Sequence, residues 1–351
     1  MPLSSWISRV FGRFRRSQST PQVTSRDPSL HVVILDGTMS SLSPGRETSA
    51  GQTYRLLQEM GTKAGITIYY EPGIQWTHWR DAWGVMTGRG INRQIRRAYG
   101  HLATRYRPGD RIVLIGYSRG AYAVRSLAGV IDQIGLVRRQ FATVRHIRQV
   151  YRHYEAGVDS PTVQEFRTAY CHPEAPIEAV AVWDTVKALG LRLPFLWRWT
   201  QRRHSFHNDG LGPSISHGFH ALALDETRAA YAPVLWRCAE DWDGRMEQVW
   251  FRGGHADVGG QLNGRNWARP LANIPLVWML ENLSMCGLPL PADWRGRHPM
   301  DPNAPPVGAW SGWAKLFLTR RRRVVGTDVS ERLHVSVHPE LEADQHKTRQ
   351  A

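Results

Sequence analysis

The chain reads as an α/β protein with a mostly parallel sheet covered by helices on both faces. Short apolar runs alternate with amphipathic stretches of helical length, and parallel strands need such crossover helices between them. Four of the five apolar runs end on polar residues suited to chemistry, and sites in open α/β sheets form beyond the carboxyl ends of the strands.

The elements follow in order. His31 to Leu35 is a buried strand, closed by Asp36-Gly37-Thr38. Residues 51 to 61 carry helical periodicity, and Ile66 to Tyr70 is a second strand. A helix over 91 to 106 stops before Pro108-Gly109-Asp110. Ile112 to Ile115 is the third strand, and it runs into Gly116-Tyr117-Ser118-Arg119-Gly120 and a helix from Ala121 to Ala128. Ile177 to Val182 is a fourth strand, closed by Trp183-Asp184-Thr185. Gln248 to Phe251 is a fifth, followed by Gly253-Gly254-His255-Ala256-Asp257-Val258-Gly259-Gly260. Segments 137–175 and 186–245 lie between these strands and are candidates for a lid, with Leu193 to Trp197 an apolar run inside the second.

The strand–turn–helix around Ser118 is the most specific signal. Gly-x-Ser-x-Gly by itself turns up in about one chain in ten of this length. A buried strand before it and a helix directly after it are what a nucleophile elbow requires: the serine takes a strained backbone, and the glycines let strand and helix close up. Ser118 is therefore a candidate acyl-transfer nucleophile. The order Ser118, Asp184, His255 is the nucleophile–acid–base order of α/β-hydrolases. In that reading His255 takes and returns the serine proton, and Asp184 fixes the imidazole tautomer. The backbone N–H of Arg119 is one oxyanion donor, and that of Gly37 or Thr38 the second. Asp257 competes with Asp184 for the acid role, and Asp36 is a candidate for orienting the oxyanion loop. The pairs His204/His207 and His217/His220 have a spacing that can face a metal. The sequence shows no Cys or carboxylate completing a recognisable set, so they read as structural or lid residues, and no metal or cofactor is expected.

Composition narrows the partners. The 351 residues carry a net charge of +15, almost all from arginine, with lysine at only 63, 187, 315 and 347. A basic surface suits phospholipid head groups or nucleic acid, but no zinc-finger spacing and no RNP-type aromatic motif supports the latter. Fifteen Trp suit either a core or a wet, apolar cleft. Cys171, Cys238 and Cys286 are odd in number and widely spaced, which predicts synthesis in a reducing compartment. No apolar run reaches the ~18–20 residues of a membrane span, and no secretory leader is evident. Cytoplasmic synthesis is expected, with peripheral membrane attachment or export by a non-classical route.

Three regions are expected: a segment over 1–30, a catalytic domain over 31–338 and a polar tail over 339–351. Within the first, Trp6, Ile7, Val10, Phe11 and Phe14 share one helical face, with Arg9, Arg13, Arg15 and Arg16 around it. This suits a basic membrane-surface helix, a disordered tail or a transit peptide. Trp310, Trp313, Leu316 and Phe317 precede Arg320 to Arg323, which fits either an anionic membrane surface or a packed loop with a solvated charge run.

Several ordered segments together resemble the DUF2235 family, which includes the catalytic domain of type VI secretion phospholipase effectors. They are Leu35 to Thr38, Tyr70 to Ile74, Arg107 to Arg111, Gly116 to Tyr122, Val182 to Val186, His220 to Glu226, Gly254 to Gly260 and His334 to Val337. The resemblance spans about 31 to 338. It implies an α/β-hydrolase fold, a Ser118–Asp184–His255 triad and ester hydrolysis, with phospholipid as substrate. Met39 and Ser40 stand where the family has an aromatic residue and Asn, and Ala256 where it has Ser. The large membrane-anchoring domain of the known effectors is not expected here. The residues by themselves leave open a soluble carboxylesterase without lipid preference, or a non-catalytic basic membrane- or nucleic-acid-binding module on a hydrolase scaffold.

Overall fold

The computed structural model describes residues 26–61, 64–73, 89–157, 160–186, 210–239, 241–310 and 319–337. The basic N-terminal helix, the 193–197 run, His204 and His207, Trp313 to Phe317 and the tail beyond 338 lie outside these residues.

Among the described residues seven parallel strands form one sheet in the order β2-β1-β3-β4-β5-β6-β7. They are β1 (Leu30–Leu35), β2 (Ile66–Glu71), β3 (Arg111–Tyr117), β4 (Ile177–Trp183), β5 (Ile215–Ala223), β6 (Arg245–Phe251) and β7 (Glu331–Leu333). The chain steps from β1 to β2 on one side and then crosses back to β3 on the other. The carboxyl ends of β1 and β3 thus flank the point where winding reverses, which opens the crevice such sheets use for ligands. This is an α/β-hydrolase-like fold.

Side chains alternate between the two faces. Val32, Ile34, Val113, Ile115, Ala179, Ala181, Phe219 and Val249 pack on α1 (Ser49–Met60) and α7 (Arg269–Met285). Val33, Leu35, Ile112, Leu114, Val180 and Val182 pack on α2 (Arg89–Arg105) and α3 (Arg119–Ile134). With both faces buried, the strands read as near-continuous apolar runs. Thr48 caps α1 by accepting from Gly51 N at 2.9 Å.

The structure differs from the sequence expectation in four places. Segment 137–175, a candidate lid, folds into α4 (Val144–Ala156) and α5 (Pro161–Tyr170). Their Val150, Tyr151, Tyr154, Val163 and Phe166 join the core on the α2/α3 side. The second candidate lid segment contains β5, which inserts between β4 and β6. Ser, Gly and two His in Ile215–Ala223 hid that strand, because a β pattern is read from branched and aromatic residues. At Gly218 the Leu211 side chain packs onto the strand where a Cβ would stand, 2.3 Å from Leu211 Cδ1. Helix α7 is buried nearly all round, so it has no amphipathic stripe to read. Strand β7 has only three residues. Among the described residues no helix is long and apolar enough to cross a membrane. Trp183, Trp236 and Trp250 are fully buried, whereas Trp310 is exposed with the Arg320 guanidinium 3.8 Å from its ring centre.

Candidate active site

Ser118 sits between β3 and α3 with φ 58° and ψ −118°, a backbone that non-glycine residues rarely adopt. Neighbouring glycines over-determine it. A Cβ on Gly120 would lie 2.0 Å from Leu35 O, and one on Gly116 2.7 Å from Ala121 Cα. Ser118 N also donates to Trp183 O at 3.0 Å, tying the elbow to the end of β4.

His255 opens the short helix α6 (His255–Val258) beyond β6, and Asp184 follows β4. Ser118 Oγ lies 2.8 Å from His255 Nε2, and His255 Nδ1 lies 2.5 Å from Asp184 Oδ2. A carboxylate only accepts, so Nδ1 carries the ring proton and Nε2 is the atom that accepts from the serine hydroxyl. All three residues are buried, Asp184 completely. Asp184 has φ 39°, a second strained non-glycine backbone at the site.

Asp184 has a partner the sequence reading missed. The Arg323 guanidinium, buried like the carboxylate, donates to both Asp184 oxygens, and also to Ala223 O at 2.8 Å and Tyr231 O at 2.6 Å. Burial by itself would raise the Asp184 carboxyl. The Arg323 charge and the His255 hydrogen bond outweigh it and hold the group well below the usual carboxylate range. The Arg320–Arg323 run is therefore not a uniform surface cluster: Arg320 donates to Thr227 Oγ1 and Ala309 O, Arg323 is buried, and Arg321 and Arg322 are exposed.

The imidazole is held by aromatic rings and by its own backbone. Tyr117 stacks on it with centroids 5.0 Å apart, and Tyr231 meets it edge-on at 4.9 Å. Tyr117 fits because a Cβ on Gly259 would fall 1.9 Å from its ring. His255 N donates to Glu226 Oε2 at 3.1 Å. Burial would raise the Glu226 carboxyl, but hydrogen bonds and charge from Arg228 hold it below the usual range. Asp257 does not face the ring: its carboxylate accepts from Gly254 N at 2.8 Å, Val307 N at 2.7 Å and Gly308 N at 3.0 Å. It braces the turn that carries His255.

The loop after β1 lies across from the elbow. Asp36 accepts from Gly37 N at 2.7 Å, Thr48 Oγ1 at 2.7 Å and Tyr70 Oη at 2.8 Å. Burial nonetheless raises its carboxyl above the ordinary value. With the Gly37 N–H turned to Asp36, Thr38 N–H is the one of the two expected donors with no acceptor among the described residues. Gln261 Nε2 donates to Thr38 O at 2.9 Å, and Met39 follows with φ 59°. Gly73 presses on this peptide so closely that a Cβ would lie 1.9 Å from Gly37 O and 2.5 Å from Thr38 N.

The remaining histidines are placed elsewhere. His220 is fully buried, with Nε2 accepting from Thr185 N at 3.1 Å, and burial pushes its imidazole down to about 3. His217 lies toward the other end of the strands with Glu178 and Cys286. One ligand-type atom of each falls within 4.8 Å of the others, a grouping that only the fold creates. The Arg111 guanidinium lies 3.4 Å from the Glu178 carboxylate and supplies positive charge at that cluster.

The fold brings Ser118, Asp184 and His255 together at this crevice with Asp36 and Asp257 beside them, and sequence reasoning missed the further supports Arg323 and Glu226. Glu226 stands in a recognised segment, but Arg323 carried no signal beyond its arginine run.

Comparison with known proteins gives the following. The chain is 26% identical over 253 residues to the Saccharomyces cerevisiae protein "Uncharacterized protein YEL023C", a match covering 63% of this chain and 36% of that one. An uncharacterized protein from Pseudomonas aeruginosa, solved by crystallography, aligns over 85% of this chain and 49% of its own, with 18% identity and a TM-score of 0.42. The Tle1 effector, solved bound to the VgrG spike from the type 6 secretion system, aligns over 67% of this chain and 52% of its own, with 18% identity and a TM-score of 0.34. The chain thus spans about a third of the yeast relative and about half of each solved chain. Residues 30–282 match the family model described as "T6SS, Phospholipase effector Tle1-like, catalytic domain", and the chain belongs to this family.

Proposed function

We propose that the protein is a serine-dependent lipolytic hydrolase that cleaves carboxylic esters of membrane phospholipid, with residues 31–338 as its catalytic unit. The observation that carries this reading is the buried line Ser118 Oγ–His255 Nε2 at 2.8 Å and His255 Nδ1–Asp184 Oδ2 at 2.5 Å. Family membership supports the phospholipid substrate.

In this mechanism Ser118 Oγ attacks the ester carbonyl carbon as its proton passes to His255 Nε2. Asp184 stabilises the imidazolium and keeps the ring oriented. The carbonyl oxygen becomes an oxyanion that accepts from the backbone N–H groups of Arg119, at the start of α3, and Thr38. Nε2 returns the proton to the departing lyso-lipid alcohol, leaving an acyl-Ser118. A water, deprotonated by the same nitrogen, releases the fatty acid and restores the serine. Asp36, Gln261 and Gly73 hold the Thr38 peptide for this task.

The same family membership supports export as a type VI effector that meets anionic membrane at its target. The test is fatty-acid release from phosphatidylglycerol vesicles by the parent protein beside Ser118→Ala. Release lost in the variant is the expected result. Release undiminished in the variant, or a folded parent inert both to phospholipid and to a fluorophosphonate probe, overturns the reading.

A further inference from the structure

Arg119 follows the nucleophile directly and is a buried residue, 8% exposed. Among the described residues no carboxylate, carbonyl or hydroxyl accepts from its guanidinium. The other arginines around the crevice are matched: Arg323 by Asp184, Arg228 by Glu226, and Arg125 by the carbonyls of Val234 and Leu235. Arg119 adjoins Ser118 in the chain, and the Tyr231 phenol, whose ring meets His255 edge-on, acts weakly in favour of its charged form. Burial pushes the guanidinium down to about 10.

Two physical terms oppose a cation here. A buried charge without a counter-charge is destabilising. Arg119 also stands in the first turn of the sixteen-residue helix α3, where the helix dipole favours anions and disfavours cations. Beside the nucleophile there is thus a cation that no carboxylate among the described residues neutralises.

Resting on the reading of the site as a phospholipid esterase, we propose that Arg119 is its phosphodiester-binding residue. The guanidinium takes the anionic phosphate of a glycerophospholipid while the backbone N–H of the same residue faces the scissile carbonyl oxygen. In such a lipid only the glycerol bonds separate the ester carbonyl from the phosphate, so both fall within reach of one residue. A planar guanidinium suits a phosphodiester because it can donate two parallel hydrogen bonds to the phosphate oxygens. Arg119 would thereby separate phospholipid from neutral acyl esters.

The experiment compares kcat/KM for phosphatidylglycerol and for diacylglycerol of the same chains, at equal mole fraction in detergent micelles, in the parent, Arg119→Gln and Arg119→Lys. Taking both substrates on one variant cancels any loss of folded protein. The phospholipid-to-diacylglycerol ratio is expected to fall by about 30-fold in Arg119→Gln, the worth of a charge-assisted hydrogen bond, and by less in Arg119→Lys. Equal losses on both lipids overturn the proposal. A second arm needs no turnover. In the Ser118→Ala background, Arg119→Gln is expected to weaken binding of a short-chain dialkyl-ether phosphatidylglycerol by at least about tenfold. Undiminished ether-lipid binding overturns the proposal, and so does tight binding of inorganic phosphate without binding of the ether lipid. If the parent hydrolyses no ester, the serine-hydrolase reading fails on its own, and the binding arm still decides the role of Arg119.

Discussion

Arg323 grips both carboxylate oxygens of Asp184 from 139 positions further along the chain, and both side chains are buried. The proposed triad acid is thus one member of a fixed ion pair, held against its own desolvation by a guanidinium that also ties down Ala223 O and Tyr231 O. Replacing Arg323 by Gln leaves that carboxylate buried with only His255 and the Ala223 N–H. A loss of about 3–5 kcal/mol of stability is expected, the range for breaking a buried pair. Denaturant midpoints of the parent and Arg323→Gln check this.

Asp184 and Asp257 are expected to separate cleanly. Asp184→Asn presents the wrong partner to His255 Nδ1 and is expected to lower kcat by about 10⁴, as in other triads. Asp257→Asn removes one acceptor from a carboxylate that holds three backbone N–H groups. It is expected to cost about 1–3 kcal/mol of stability with a much smaller effect on kcat. Turnover and melting measured on the same preparations decide between them. A collapse of kcat in Asp257→Asn at unchanged stability would reverse the assignment.

Gly73 and Gly120 answer to different backbones. A Cβ on Gly73 meets Gly37 O at 1.9 Å, so Gly73→Ala displaces the peptide that carries the Thr38 N–H. An approximately 10²-fold fall in kcat is expected, the usual consequence of losing an oxyanion donor. A Cβ on Gly120 meets Leu35 O at 2.0 Å and separates α3 from β1. Gly120→Ala is expected to destabilise by roughly 3 kcal/mol or more, at the upper end of overpacking costs. Single-turnover kinetics for the first and chemical denaturation for the second are the measurements.

His220 supplies a pH dependence with a definite sign. Burial pushes its imidazole down to about 3, against 6.5 for the free group, with Arg125 lowering it further and Asp184 opposing. Between those values the unfolded chain holds a proton that the folded one does not, so stability falls as pH drops below 6.5. His220→Asn keeps an acceptor for Thr185 N but no titrating ring. It is expected to be less stable at neutral pH and to show a shallower acid slope. Urea midpoints between pH 7.5 and pH 4.5 test this, and parallel slopes for parent and variant would refute it.

The sequence by itself determined the strand–helix alternation and the ends of the chemistry-bearing strands. Both are local. An apolar run, a glycine-flanked serine and a helix start lie within a dozen residues around Ser118, and Asp36, Asp184 and His255 each follow a strand. Parallel pairing then carries all four to one end of the sheet, because every strand points the same way.

The tertiary structure decided what depends on distant partners. Strand β5 exists because β4 and β6 offer it edges on both sides and because Leu211 and Trp236 close over Gly218, so burial overrode a sequence with weak β preference. The turn around His255 is braced by Asp257 through N–H groups of Val307 and Gly308. Arg323 and Arg321 are near neighbours in one arginine run, yet one is buried on Asp184 and the other exposed. Periodicity reports which face of an element is apolar. Which cation meets which carboxylate is fixed only when segments more than a hundred residues apart are packed together, since a buried charge must find its counter-charge wherever the fold has placed one.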